Sequence, residues 1–282
     1  KMFLDKSQRA LIIAPTRELA IQIDTELASL AKLLSISSLL CIGGGSVNQQ
    51  SFSLRYGPRV VIGTVGRLKD LTTRGALSLS HFQTIVLDEV DRMVDIGFIK
   101  DIRFLLSLLP PVRQSLFFSA TVSPDIAGII HSFLRSPATV SVKTSDTAQG
   151  IDQDIIRVRS KDEKISKLHS LLRQTEFKKV LVFGRTKWSV ERLATTLQHS
   201  GFSAASIHGN KSQGQRLRAL SLFKHNQLQV LVATDVAARG LDIDSVTHVI
   251  NFDEPPTYTD YIHRIGRTGR AGKQGKALTF VI

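Results

Sequence analysis

A single cysteine, Cys41, in 282 residues excludes an internal disulfide and leaves no thiolate cluster for zinc or iron. That usage fits a reducing compartment, and a cytoplasmic location is expected. The sequence contains no run of eighteen apolar residues, so it offers no helical membrane span. Residues Lys1 to Arg9 lack the apolar core of a signal peptide. His81, His131, His169, His199, His225 and His248 are scattered without ligand spacing, which argues against a zinc site. Short-period repeats and low-complexity segments are also missing.

What remains is a foldable composition with an uneven charge. Hydrophobic residues make up 42% and charged residues 22%, enough to bury proper cores, and the length suits two domains of ordinary size. Lys plus Arg number 37 against 24 Asp plus Glu, for a formal net charge of +13. Residues 1–150 hold 16 basic and 12 acidic side chains, net +4, whereas 151–282 hold 21 and 12, net +9. Such an excess favours a polyanionic partner, nucleic acid foremost.

Short runs rich in Val, Ile, Leu and Phe alternate with amphipathic stretches, the pattern of strands buried on both faces of a parallel α/β sheet. In the first half the runs are Ala10–Ala14, Leu39–Ile42, Val60–Gly63, Thr84–Leu87, Leu116–Phe118 and Thr139–Val142. Leu19, Ile23, Leu27, Leu30 and Leu34 form one stripe of an intervening helix, and further helices are predicted at Phe98–Leu109 and Pro124–Leu134. Lys143–Asp154 is poor in apolar residues and reads as an interdomain linker. A second series follows: Ile155–Val158, Val180–Phe183, Ala204–Ile207, Val230–Ala233, Val246–Ile250 and Ala277–Ile282, with helices at Asp162–Arg173, Lys187–His199 and Ser212–Lys224. The expected domains are 1–145 and 151–282. Both ends read as cut, one nine residues before an internal strand and the other in mid-strand, so the chain reads as a fragment.

Ligands of parallel α/β sheets bind beyond the carboxyl ends of strands. Asp88, Glu89 and Asp91 follow Thr84–Leu87 directly, where a carboxylate can hold a hydrated Mg²⁺ and its neighbour can orient or deprotonate water. Taken alone, the three acids equally suit a helix N-terminus, stabilised by its dipole. The densest basic cluster is His263, Arg264, Arg267 and Arg270, with Gly266 and Gly269 between. Arginine forks there suit phosphate oxygens, although a solvated helix end is the plain alternative.

Five segments occur in a fixed order: Pro15-Thr16-Arg17-Glu18-Leu19-Ala20, Asp88-Glu89-Val90-Asp91, Ser119-Ala120-Thr121, Ala233-Thr234-Asp235-Val236-Ala237-Ala238-Arg239-Gly240-Leu241-Asp242, and His263-Arg264-Ile265-Gly266-Arg267-Thr268-Gly269-Arg270. Together they resemble motifs Ia, II, III, V and VI of DEAD-box ATP-dependent RNA helicases. The segment from Ile207 to Gln213 resembles the bacterial RhlE-type group most. The resemblance implies two tandem RecA-like domains facing a cleft, the first truncated at its N-terminus, with ATP and Mg²⁺ as cofactors. It implies that Asp88 binds Mg²⁺ through water, Glu89 positions the hydrolytic water, and Asp91 joins Ser119, Thr121 and His263 in a polar network. It also implies that Arg267 and Arg270 reach the γ-phosphate as arginine fingers, that Asp242 holds the ribose, and that Gly240 sits beside the nucleotide. On the RNA side it implies a track along Pro15, Thr16, Arg17, Gly44, Gly45, Thr64, Gly66 and Arg67, continued by Gln213, Arg216 and Thr234. Such groups meet RNA backbone without reading bases, in single strands and duplexes alike, so weak sequence preference and a monomer are expected.

The chain departs from the family in three places. No phosphate-binding loop with Gly-Lys-Thr/Ser and no adenine-reading glutamine motif precede Pro15, and Gly43-Gly44-Gly45-Ser46 lacks the lysine. Val90 replaces the family's alanine, at a cost of roughly 1–3 kcal/mol unless neighbours make room. Val65 replaces the usual proline, which frees its φ and loosens that loop. Trp188, at a helix start, reads as a packing residue in preference to a base-stacking one. Alternatives to a helicase are an RNA clamp or chaperone without productive turnover, and a DNA translocase of the wider superfamily.

The 282-residue chain, lacking that loop, has no cradle to set the phosphates in line for attack. It is expected to show negligible RNA-stimulated ATP hydrolysis beside a version extended upstream; comparable phosphate release from both would show that the loop is dispensable.

Overall fold

A computed structural model of the chain describes residues 8–141, 150–238, 243, 246–269 and 274–282, the side chains of 32–34 excepted. The chain divides into two compact units, Lys1–Val140 and Ser141–Ile282. Each holds a fully parallel sheet.

In the first unit the strands are β1 (Ala10–Ala14), β2 (Ser38–Cys41), β3 (Val60–Thr64), β4 (Thr84–Leu87) and β5 (Gln114–Phe117), in spatial order β2-β3-β1-β4-β5. The helices are α1 (Arg17–Leu34), α2 (Val47–Leu54), α3 (Val65–Thr73), α4 (Val90–Asp95), α5 (Ile99–Ser107) and α6 (Pro124–Phe133). Strand alternation sorts the central residues onto two faces. Leu11 and Ile13 enter the cluster with Leu68, Met93 and Ile129, while Ala10 and Ala14 join Leu19, Ala20 and Ala31 of α1. Thr16, Ser46 and Ser123 cap α1, α2 and α6 by accepting a hydrogen bond from a backbone N–H of the first turn.

The second unit has β6 (Ile151–Arg157), α7 (Lys161–Leu172), β7 (Val180–Phe183), α8 (Lys187–His199), β8 (Ala204–Ile207), α9 (Gln213–Lys224), β9 (Val230–Ala233), α10 (Asp235–Ala238), β10 (His248–Asn251), α11 (Tyr258–Ile265) and β11 (Gly275–Val281). Its sheet order is β6-β11-β10-β7-β9-β8. In both sheets the strand order reverses beside a central strand, between β1 and β4 and between β7 and β10. Those are the topological positions where doubly wound sheets open a ligand crevice.

Four sequence expectations need correction. Residues 139–141 of the expected strand Thr139–Val142 form none: Val140 is 87% exposed, and β5, at the sheet edge, pairs with β4 alone among the described strands. The tail of the expected linker, Ile151–Asp154, is the start of β6, paired in register with β11. Its aspartates are tolerated because β6 is an edge strand whose residues 152–155 are exposed on both faces. Leu30 is 57% exposed and leaves the α1 stripe, which is completed by Ala20 and Ala31. The Thr64-Val65-Gly66-Arg67 segment is no loose loop: Thr64 ends β3, and Val65, fully buried, opens α3. Proline and valine both suit that first helical position, where no intrahelical N–H bond is lost.

His248 on β10 lies buried, its ring stacked on Phe177 at 3.8 Å between centroids, with Nδ1 2.9 Å from Thr247 Oγ1. Burial, reinforced by the Lys276 ammonium and opposed by Glu176, pushes its pKa from 6.5 down to about 4. The unfolded chain therefore takes up this proton first, so stability is full above about pH 6.5 and declines as pH falls towards 4. Urea unfolding across that window should show a shallower decline in a His248→Gln variant than in the parent; identical slopes would remove His248 from the account.

Candidate functional site

The acidic run begins where β4 ends. Asp88 accepts the N–H of Glu89 on Oδ1 at 2.9 Å, and among the described residues its Oδ2 accepts nothing. Burial raises its pKa, further than the Glu89 N–H lowers it, and the Glu89 and Asp91 carboxylates add to the rise. An oxygen without a hydrogen bond on a half-buried carboxylate is a hard donor that suits a hydrated Mg²⁺. No cluster of three or more His, Cys, Asp or Glu side chains able to hold a metal occurs among the described residues. The donor chemistry thus fits a metal taken up through one carboxylate, waters and phosphate oxygens rather than a protein cage.

Glu89 caps α4 from the left-handed region, φ 49° and ψ 55°, a conformation that costs a non-glycine residue about 1 kcal/mol or more. The turn lets the chain leave β4 sharply, and Glu89 Oε2 accepts from the Arg92 guanidinium at 3.1 Å. Asp91, almost fully buried, carries the hydrogen bonds that fix this corner. Its Oδ2 accepts from the N–H groups of Ala120 and Thr121, both at 3.1 Å, and from Thr121 Oγ1 at 3.3 Å. Its Oδ1 accepts from the Arg92 N–H at 3.0 Å, and its own N–H donates to Ser119 Oγ at 3.3 Å. The Ser119 hydroxyl in turn donates to the Thr121 carbonyl at 2.6 Å. The structure thus joins Asp91, Ser119 and Thr121 through hydrogen bonds. Val90, fully buried in the core with Leu87 and Ile126, is accommodated in that packing.

A basic rim lies beyond β1, β2 and β3, which are neighbours in the sheet. Thr16 caps α1, Arg17 opens it, and Pro15 is buried. The Arg17 guanidinium lies on the glycine turn after β2: a Cβ on Gly43 would come within 2.8 Å of its Nη2, and one on Gly44, at φ +87°, within 2.9 Å of Nη1. Larger residues there would push the arginine away. Arg67, in the first turn of α3, donates to the Gly45 carbonyl at 3.3 Å and to Gln50 Oε1 at 2.7 Å. Gly44, Gly45 and Gly66 are exposed beside them, and Thr64 is half-buried.

In the second unit Thr234 follows β9, its carbonyl accepting from Ala237 and Ala238, while Gln213 and Arg216 sit on the first turn of α9. His263 lies in the last turn of α11, and Arg267 Nε donates to its carbonyl at 3.4 Å. Arg264, grouped with them by sequence, is not available to an anion. It is 1% exposed, forks onto Asp235 at 2.5 and 2.8 Å, and donates to Asn251 Oδ1 and the Asp253 carbonyl at 3.2 and 2.6 Å. Gly240, Asp242 and Arg270 lie outside the described residues.

Two constellations escaped sequence reasoning. The Asp235 partner of Arg264 is 29 residues away, a distance at which spacing carries no signal. Glu191 on α8 accepts from Lys211 Nζ at 2.8 Å, from the Ser206 hydroxyl, and lies 3.0 Å from His208 Nε2. These hydrogen bonds, outweighing its burial, draw its pKa down to about 2. The Asn210 N–H donates to His208 Nδ1 at 3.3 Å, which leaves Nε2 to carry the proton towards Glu191.

Two parallel-sheet units with polar rims at the strand ends define a tandem RecA-like protein. The sequence profile of the DEAD/DEAH box helicases matches residues 2–129, and that of the helicase conserved C-terminal domain matches 163–272. The chain is similar to the DEAD-box ATP-dependent RNA helicase CshA of Geobacillus kaustophilus, 47% identical over 274 residues, covering 97% of this chain and 58% of the relative. Among solved structures it resembles S. cerevisiae Dbp5 bound to RNA and ADP BeF3, at 29% identity and a TM-score of 0.84, covering 99% of this chain and 72% of that one. A DEAD box protein from Methanococcus jannaschii is 35% identical with a TM-score of 0.53, covering 98% and 75%. The chain belongs to the DEAD-box RNA helicase family. It spans about half the length of the curated relatives it matches.

Arg264 is tied into the second unit by a desolvated ion pair, and leaving Asp235 without it should cost about 3 kcal/mol. Arg264→Ala is expected to lower the urea midpoint accordingly, with Arg264→Lys recovering part of the loss because it cannot fork. A cost near zero for the alanine variant would contradict this assignment.

Proposed function

We propose that this chain is most of the two-domain core of an ATP-dependent RNA helicase, with RecA-like domains at 1–145 and 151–282. The observation that carries the reading is the Asp91 link. It holds the end of β4 against the Ser119–Thr121 turn and leaves Asp88 and Glu89 at the strand-carboxyl rim.

In this reading Asp88 holds Mg²⁺ through water, and the bound ion neutralises charge on the phosphate oxygens. Glu89, anchored by Arg92, orients the attacking water and accepts its proton. Arg267 and Arg270 are assigned to the γ-phosphate charge, and Asp242 and Gly240 to the nucleoside. Asp91, Ser119, Thr121 and His263 are assigned to coupling nucleotide binding to RNA binding. The Arg17, Gly44, Gly45 and Arg67 rim, with Thr16, Thr64 and Gly66, grips RNA phosphates and 2′-hydroxyls, and Gln213, Arg216 and Thr234 extend the track. Pro15, being buried, shapes the turn that presents Thr16 and Arg17. Relatives bound to RNA support the partner, and the excess of basic residues supports backbone recognition.

Phosphate release from the full-length protein tests the roles. Glu89→Gln should leave ATP and RNA binding nearly unchanged while suppressing turnover, because water positioning matters in the transition state. Arg17→Ala and Arg67→Ala should weaken unstructured RNAs of every sequence alike and flatten the salt dependence. Turnover of Glu89→Gln at the parent rate, or a large base preference among unstructured RNAs that persists at high salt, would overturn the reading.

A further inference from the structure

The sequence contains one tryptophan, and the packing role expected for it does not hold. Trp188 stands 72% exposed on the first turn of α8. Trp188 is one of several exposed large apolar side chains, so a role for its ring needs a specific reason beyond exposure.

Its surroundings supply one. Helix α8 starts directly after β7, at the same carboxyl rim from which Thr234 follows β9 and Gln213 follows β8. Lys187 Nζ lies 5.5 Å from the centroid of the Trp188 ring and donates to Asn210 Oδ1 at 3.1 Å. That bond ties the start of α8 to the turn leading into α9, whose first turn carries Gln213 and Arg216. Arg185 and Lys187 are exposed there, the Glu191 carboxylate is already engaged by Lys211, His208 and Ser206, and the Asp253 carboxylate accepts the Arg185 N–H at 2.8 Å and lies 3.8 Å from Lys164 Nζ. A flat exposed ring with an ammonium group beside it matches a nucleotide whose phosphate meets the cation while its base meets the ring.

We propose that Trp188 is a base-stacking platform for single-stranded RNA, extending the backbone track of the second unit by one nucleotide. This rests on the RNA-binding reading above and adds to it a contact made by a base rather than by backbone. Stacking tolerates every base, since each has a π-face, so the contact adds affinity with only a slight leaning towards the larger purines. Lys187 positions the ring and sits where the adjoining phosphate would be.

The lone tryptophan makes the test direct. The chain is titrated with oligoadenylate and with an abasic ribose-phosphate oligomer of equal length, binding being followed by anisotropy of end-labelled oligomers and stacking by Trp188 emission with unlabelled ones. Oligoadenylate is expected to quench Trp188, and the abasic oligomer to bind without quenching. Trp188→Ala should weaken oligoadenylate about 5- to 150-fold, the range that the loss of one stacked base gives, and leave the abasic oligomer unchanged. Trp188→Phe should recover most of the loss. Oligoadenylate that binds with Trp188 emission unaltered, or a Trp188→Ala loss equal for both oligomers, would overturn the platform while leaving RNA binding intact. No anisotropy change with either oligomer would overturn the RNA-binding reading itself, and the platform with it.

Discussion

One buried carboxylate governs the geometry of the first unit's rim. Asp91 receives two backbone N–H groups and a hydroxyl from residues 120 and 121 on one oxygen, and its own N–H reaches Ser119. These partners lie beyond β5, while Asp91 lies beyond β4, so the link spans adjacent strands. Hydrogen bonds to a charged acceptor with little water access are among the stronger ones in proteins. Because the link is met from both sides, neither turn can move without the other. The left-handed backbone of Glu89 is sustained by the same clamp, which over-determines a conformation the residue would not otherwise keep.

The same economy recurs in the second unit through a cation. Arg264 gathers Asp235 after β9, and Asn251 and the Asp253 carbonyl at the end of β10. Its plane also lies 5.1 Å from the Phe183 ring at the end of β7. Three strand ends thus meet at one guanidinium. In each unit, then, a buried charge fixes the loops, and the groups beside it stay half-buried. This division explains why residues adjacent in sequence have opposite fates: Asp88 and Asp91, or His263 and Arg264.

Much of the fold was legible because parallel strands buried on both faces are short, uniform apolar runs. β1, β4, β7, β8 and β9 begin and end where those runs do. Legibility failed where another force set the outcome. Asp152 and Asp154 hid the first half of β6, since an exposed edge strand can carry charges. α2 and α3 were passed over because they are short and polar. The apolar run at 139–141 lacked a partner strand. At the site, the motifs located Asp88, Glu89, Asp91, Ser119 and Thr121, yet the chain alone did not separate Arg264 from its neighbours. That distinction depends on a partner brought near only by folding, as does the exposure of Trp188.

Native-state hydrogen exchange at Ala120 and Thr121 tests the clamp most directly. With Asp91 in place both amides should exchange slowly, and in Asp91→Ala their protection should fall roughly 10- to 150-fold while β4 and β5 keep theirs. Equal protection of Ala120 and Thr121 in the two proteins would contradict the claim that this carboxylate holds the rim together.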